Sequence, residues 1–399
     1  MTARNAVVFG AGAVGRGFVG PLFSAAGWHV TFVDVLPELV DRLNADGGYH
    51  QVVVDNAGHR LHRIAPVTAR YATDADTVTT ALVAADFAAT AVGAANMPLL
   101  APAFAAGLRE RHRAGRGPLD VLLCENLPGA PAIMREALDE AHGGDTAALA
   151  GLVATSIGRM IPSGIWDSGD PTAVAVEPYA MLPYDAAALL TPEPDVAGLE
   201  PIRGGFEAYA VRKLYVHNMG HCMLAWLAQE AGLTHIADAA ARLGLRYLVQ
   251  GAMIESATAV AEAHGLPGGA LLDHVNDLLH RFQNQALKDT AARVGQDPVR
   301  KMQPDDRLLG AHRLCRRAGV APLHISLAIA LGARRLERDA GWSPSEVDAH
   351  LEAGLFRGEP DDDRWRRLLT DQRALLREGL DVDAQLARMG AEYAQAEVV

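Results

Sequence analysis

Cysteine is scarce in this 399-residue chain, which has only Cys124, Cys222 and Cys315. They are odd in number and far apart. A disulfide framework and a Cys-x-x-Cys metal knuckle are therefore excluded, and a reducing cytoplasm is the expected compartment. Apolar runs of membrane-spanning length are lacking, so no span is expected. The opening Met1-Thr-Ala-Arg-Asn leads straight into a strand, so no secretory leader is expected either. Basic residues are in deficit, with 36 Lys and Arg against 48 Asp and Glu and a formal net charge of −12. That balance argues against general nucleic-acid binding, but local basic residues could still hold a small anion. No internal repeat is found, and a monomer or weak dimer is expected.

Apolar residues make up 50% of the chain, enough for sizeable cores, and the length exceeds one ordinary core. Pro192, Pro194 and Pro201 cluster in the stretch 190–205. The expected domains are therefore 1–198 and 199–399. The expected fold is an α/β Rossmann-type doubly wound sheet followed by a mostly α-helical domain.

Asn5-Ala-Val-Val-Phe9 reads as a buried strand, and Gly10-Ala-Gly-Ala-Val-Gly15 follows it into a helix. In this Gly-x-Gly-x-x-Gly the first glycine permits a tight turn. The second, Gly12, lets backbone approach a pyrophosphate, with Ala13 and Val14 beside it. The third, Gly15, allows close helix–strand packing. The helix N-terminus favours phosphate. Trp28–Val33 reads as the next strand and Asp34 ends it, placed to accept from the ribose hydroxyls, which favours NAD over NADP. Residues 49–54 and 60–65 read as an inserted hairpin. Residues 85–92 read as a core strand that puts Thr90 and Val92 at the edge a cofactor crosses. Residues 119–124 form the next strand and run into Glu125-Asn126. Asn126 suits either donation to a substrate oxygen or a helix cap. Residues 153–159 and 173–177 read as further strands. Asp167 and Asp170 between them are turn residues, and no metal is assigned.

The segment from Phe206 to Ala231 reads as one helix. At about 100° per residue, Lys213, His217, Asn218 and His221 spread over roughly 140° of its surface. Met223, Leu224 and Trp226 suit burial beside them. A lysine among apolar neighbours has its charged form disfavoured, which suits a general base, and Asn218 could donate to an oxyanion. His217 and His221 also stand at zinc-ligand spacing. The same residues fit an ordinary solvated helix face.

Lys213-x4-Asn218-x2-His221 behind an N-terminal Gly-rich loop resembles the polyol-specific long-chain dehydrogenases, most closely their shorter members, the mannitol-1-phosphate 5-dehydrogenases. Cys124-Glu-Asn-Leu127 is similar to that family's Cys-Glu-Asn-Met. Arg281-Phe-Gln-Asn-Gln285, Asp289, Arg293-Val-Gly and Arg300-Lys301 are similar to its Arg-Phe-x-Asn-Pro and the basic residues beyond. The resemblance implies a metal-independent enzyme using NAD, with Lys213 as base and Asn126 and Asn218 at the oxyanion. It implies that His221 binds or orients the substrate and that Arg293 and Lys301 contact it. The substrate implied is a small polyol or sugar phosphate, with mannitol 1-phosphate and fructose 6-phosphate leading. Two departures stand out. Gln285 replaces the family's proline, and no carboxylate lies two or three residues before Lys213. Another free polyol, sugar acid or cyclitol, a zinc enzyme using His217 and His221, and a non-catalytic NAD sensor remain alternatives. From Trp342 onward a charged helical tail is expected, with 359–364 a solvated loop.

Overall fold

The strands of the first unit are apolar at successive positions. In Asn5–Phe9, Ala6 and Val8 join one buried cluster with Phe18, Phe23 and Phe32. Val7 and Phe9 join a second with Leu82, Phe104 and Val121. Successive strand side chains point to opposite faces, so both faces of the sheet are covered. The structure is a computed structural model that describes residues 4–127, 129–162, 170–356 and 363–396. Two units make up the chain, Met1–Ala210 and Val211–Val399.

The main sheet has six strands in the order Val67–Tyr71, His29–Asp34, Asn5–Phe9, Phe87–Thr90, Leu119–Leu123 and Ala150–Ala154. Every neighbouring pair is parallel. The order reverses between Asn5–Phe9 and Phe87–Thr90. In a doubly wound sheet the ligand crevice opens at the carboxyl ends of such a pair. The expected hairpin is present as Tyr49–Asp55 against Gly58–Ile64, and Val174–Val176 adds a third strand to it.

Three details differ from the sequence reading. The strand expected at 153–159 lies at Ala150–Ala154, where it pairs residue for residue with Leu119–Leu123, and Gly151 leaves room for the Asp120 side chain. Val67–Tyr71 was not foreseen. It is an edge strand with Thr68 and Arg70 on its polar positions, so its apolar signal is short. Leu182–Asp185 and Leu199–Ile202 also pair in parallel, although each contains a proline. A two-stranded sheet is all edge, where a missing N–H is tolerated. That pairing carries the first unit past residue 198.

In the second unit the described residues form helices and short turns, with one isolated bridge between His235 and Thr290. Helix Leu323–Asp339 is buried on most of its surface and forms the core of the unit. The charged tail is helical, and one face of it packs against the unit. Helix Asp363–Arg377 buries Trp365, Leu368 and Leu376, and Gln372 donates to the Leu323 carbonyl at 3.1 Å. Residues 359–362 of the expected loop lie outside the described residues, and Asp363 and Arg364 already belong to the helix.

Asp120 is a testable joint of the first unit. It is fully buried and accepts from the Leu190 and Thr191 amides at 2.9 Å each, and from the Thr191 hydroxyl. Asp120→Ala strands those donors, so the unfolding free energy in urea should fall by about 2–4 kcal/mol. A loss under about 0.5 kcal/mol would contradict the assignment.

Candidate active site

The Gly-rich loop begins with Gly10 at φ +92°, where a Cβ would lie 2.3 Å from the Ala91 carbonyl oxygen. A Cβ on Gly15 would lie 1.9 Å from the Gly10 carbonyl oxygen. Gly12 faces open space, and Gly12 and Ala13 are exposed. The three glycines thus divide the work of a tight turn, an open approach and close helix packing. The helix that follows contains a π segment, Gly15–Val19.

Asp34 reaches back to this loop. One carboxylate oxygen accepts from the Ala11 amide at 2.7 Å and the other from the Leu36 amide at 3.0 Å. Val35 and Leu36 beside it are 72% and 59% exposed, an unusual exposure for apolar residues and one that suits a flat ring. Their neighbourhood to Asp34 was the signal that sequence reading overlooked. Thr90 is fully buried, and Val92 and Gly93 turn past the strand end. Glu125, also not singled out from sequence, accepts from the Val92 and Gly93 amides at 2.9 Å each. It fixes the turn that follows Phe87–Thr90, and burial pushes its carboxyl above the usual range despite those donors. Asn126 is exposed at the carboxyl end of Leu119–Leu123. Asp170 spends its carboxylate on His50 and Thr172, while Asp167 lies outside the described residues.

The expected long helix is present, with a change of pitch at its centre. Helix Phe206–Arg212 passes into a π turn, Lys213–Asn218, and on into helix Met219–Glu230. In an α-helix, residues five apart diverge by about 140°. The i→i+5 bonding of a π turn stacks them instead. The Lys213 ammonium accordingly donates to Asn218 Oδ1 at 2.9 Å. Both side chains are half-buried, above fully buried Met223, Leu224 and Trp226.

His217 is 3% exposed and meets Phe282 edge-on at 5.9 Å, so it serves packing. Burial, with Lys213 next, holds its pKa far below the usual imidazole range. His221 stacks on the same Phe282 ring at 4.9 Å, and its Nε2 stands 3.6 Å from the Asp289 carboxylate. Among the described residues no group of three or more His, Cys, Asp or Glu is arranged to hold a metal.

A basic loop completes this unit's share. Arg293 forms a two-pronged contact with Asp289 at 2.7 and 2.8 Å. Lys301 is 4% exposed and donates to the Gln296 carbonyl. Arg300 pairs with Asp297, and Arg307 with Asp306. Arg307 was not foreseen, though it acts on His221 alongside Arg293. Gln285, in place of a proline, is the first residue of a short 3₁₀ turn that Asn284 caps by accepting from the Ala286 amide. Proline is accepted at a first helical position, so the capped turn supplies the same bend without it.

Residues 4–198 match the family model described as the mannitol dehydrogenase Rossmann domain, and residues 205–344 match the mannitol dehydrogenase C-terminal domain. The chain belongs to the mannitol dehydrogenase family. Within it, the mannitol-1-phosphate 5-dehydrogenase of Bacillus licheniformis is 32% identical over 331 residues, which is 82% of this chain and 86% of that protein. The enzyme of the same name from Caldanaerobacter subterraneus is 30% identical over 330 residues, 82% of this chain and 85% of that one. A solved ternary complex of Pseudomonas fluorescens mannitol 2-dehydrogenase with NAD and D-mannitol shares the fold. Its TM-score is 0.73 at 17% identity, over 97% of this chain and 94% of that one. A substrate-free D-sorbitol dehydrogenase gives 0.75 at 18%, over 94% and 93%. No described helix is long and apolar enough to cross a membrane.

The buried imidazoles set a pH dependence for this family member. Burial, then Lys213 and Arg293, push His221 down to about 3, and burial, then Arg316 and Arg313, push His312 down to about 3. In the unfolded chain they titrate near ~6.5, so below that pH the unfolded state binds protons the native state refuses. Stability should therefore fall as the pH drops from about 6.5 towards 3, by about 1.4 kcal/mol per pH unit for each such histidine. Urea unfolding across that range checks the slope, and a flat profile would contradict it.

Proposed function

We propose that this oxidoreductase is an NAD-dependent dehydrogenase interconverting mannitol 1-phosphate and fructose 6-phosphate. The observation that carries the reading is the half-buried Lys213–Asn218 pair on the π turn. A lysine held in place beside an amide suits a base that takes a hydroxyl proton. An N–H of Lys213 donates to the Asn218 oxygen and so leaves the amide N–H groups for substrate oxygen, while the lone pair of the neutral amine is what takes the hydroxyl proton. NAD, when bound, supplies the hydride acceptor. Gly10, Gly12, Ala13, Val14 and Gly15 hold its pyrophosphate in this reading, and the open space over Gly12 fits that task. Asp34 takes the ribose hydroxyls, and Thr90 and Val92 line the crossing edge.

In the oxidative direction, Lys213 as the neutral amine takes the proton from the substrate's hydroxyl oxygen, and the hydrogen on the carbinol carbon is the one that bound NAD would accept. The amides of Asn218 and Asn126 are assigned to the charge that develops on that oxygen. His221, neutral at working pH, orients a hydroxyl. Arg293 and Lys301, with Arg307, are assigned to the polar end of the substrate. The relatives named for mannitol 1-phosphate, at 30% and 32% identity over most of both chains, support the phosphate ester. A free polyol is the second reading. Arg293, Arg300 and Arg307 already face Asp289, Asp297 and Asp306, so with Lys301 four cations meet three carboxylates, a surplus of one. The ratio of kcat/KM for mannitol 1-phosphate to that for mannitol decides, and a ratio below one overturns the first reading.

Lys213→Ala should lower kcat by at least ~10²-fold with NAD affinity unchanged, as expected for loss of a general base. Near-normal turnover would remove the lysine from its role. Asp34 should repel a ribose 2′-phosphate, so NAD should exceed NADP in kcat/KM by more than ~tenfold, about 1.4 kcal/mol. Equal efficiency with both would show that Asp34 turns away from the ribose.

A further inference from the structure

Asp289 lies outside every role given above, and its surroundings single it out. Its backbone oxygen accepts from the Ile236 amide at 3.0 Å, and the Ala291 amide donates to the Thr234 carbonyl at 2.9 Å. The backbone is thus pinned immediately after its side chain. Lys288, immediately before it, is left-handed at φ +49°. Among the described residues the other non-glycine with positive φ is Asp297, at +58°. These two bracket the short helix Ala291–Gly295 that carries Arg293. Strain of this kind persists only where the surroundings impose it, and it gathers at functional sites.

The carboxylate itself is 8% exposed and faces two groups. One is the Arg293 guanidinium, held by two N–H groups at 2.7 and 2.8 Å. The other is His221 Nε2, a buried ring nitrogen with no hydrogen-bond partner among the described residues, 3.6 Å away. Phe282 stacks flat on that imidazole at 4.9 Å with an interplanar angle of 10°, which fixes the ring plane but not the position of its proton. A carboxylate facing a neutral imidazole only accepts, so it favours the tautomer protonated on the nearer nitrogen.

We propose that Asp289 is the positioning residue of the site. Its one carboxylate aims Arg293 at the substrate and keeps the His221 proton on Nε2, leaving Nδ1 to accept from a substrate hydroxyl. The proposal rests on the polyol dehydrogenase reading for its consequence, but its central claim can be read without turnover. In the 15N-labelled wild-type protein near neutral pH, with His221 assigned through His221→Gln, long-range 1H–15N spectra should show the proton on Nε2. A proton on Nδ1 overturns the proposal, whatever the enzyme's substrate.

The kinetic arm uses Asp289→Asn, checked for folding by its unfolding midpoint and by NAD binding. Its kcat/KM for mannitol 1-phosphate should fall at least ~tenfold, with the Kd for NAD within about twofold of wild type. The Asp289→Asn/Arg293→Ala double variant should lose less than the product of the two single losses, because Arg293 is one of the groups through which Asp289 acts. Losses that multiply make Asp289 an independent structural residue and overturn the proposal. If wild type turns over no alditol or ketose phosphate, the polyol reading fails and the tautomer alone decides on Asp289.

Discussion

The second unit's share of the site depends on one change of helical pitch. A lysine and an asparagine five residues apart diverge on an α-helix, and the π turn at Lys213–Asn218 brings their side chains to 2.9 Å. Such turns are rare and frequently lie at functional sites. Here it is supported from below by Met219, Cys222, Met223 and Trp226, all fully buried. Gly220 admits Met253 so closely that a Cβ there would lie 2.5 Å from its sulfur. The helix is thus clamped on its apolar side while its polar side carries Lys213, Asn218 and His221.

Charge around this helix is arranged by pairing. Lys213, Arg281, Arg293 and Arg307 all depress His221, which burial already disfavours as a cation. A neutral imidazole among cations can accept a hydrogen bond where a charged one could not. The arginines are paired with carboxylates one to four residues before them in sequence: Arg293 with Asp289, Arg300 with Asp297, and Arg307 with Asp306. Preorganised donors of this sort lose less conformational freedom on binding than free side chains do. The first unit works by the same economy at Glu125, whose two oxygens hold consecutive amides of the Val92–Gly93 turn.

Much of this was legible in the chain itself. The Gly10–Gly15 spacing, the apolar strand before it and Asp34 after the next strand determined a dinucleotide crevice, because only glycine tolerates φ +92° at Gly10 and the 1.9 Å approach at Gly15. Helical periodicity gave the Lys213 helix, and apolar continuity gave the core strands. Local patterns failed where a strand is short or holds proline, as at Val67–Tyr71, Leu182–Asp185 and Leu199–Ile202, since only a partner strand makes those segments extended.

Tertiary structure alone decided the rest. A period of 3.6 cannot announce a π turn, so Lys213 and Asn218 read as separated by about 140° until packing stacked them. Asp289 faces His221 from 68 positions further along the chain, a distance in sequence that no local pattern spans. Glu125 and Arg307 were in plain view as residue types, but their roles follow from which amides and imidazole lie within reach. Residue chemistry and spacing determined the kind of enzyme. Which groups share a proton or a charge was set by long-range packing, because hydrogen bonds and ion pairs depend on ångström distances that sequence separation does not encode.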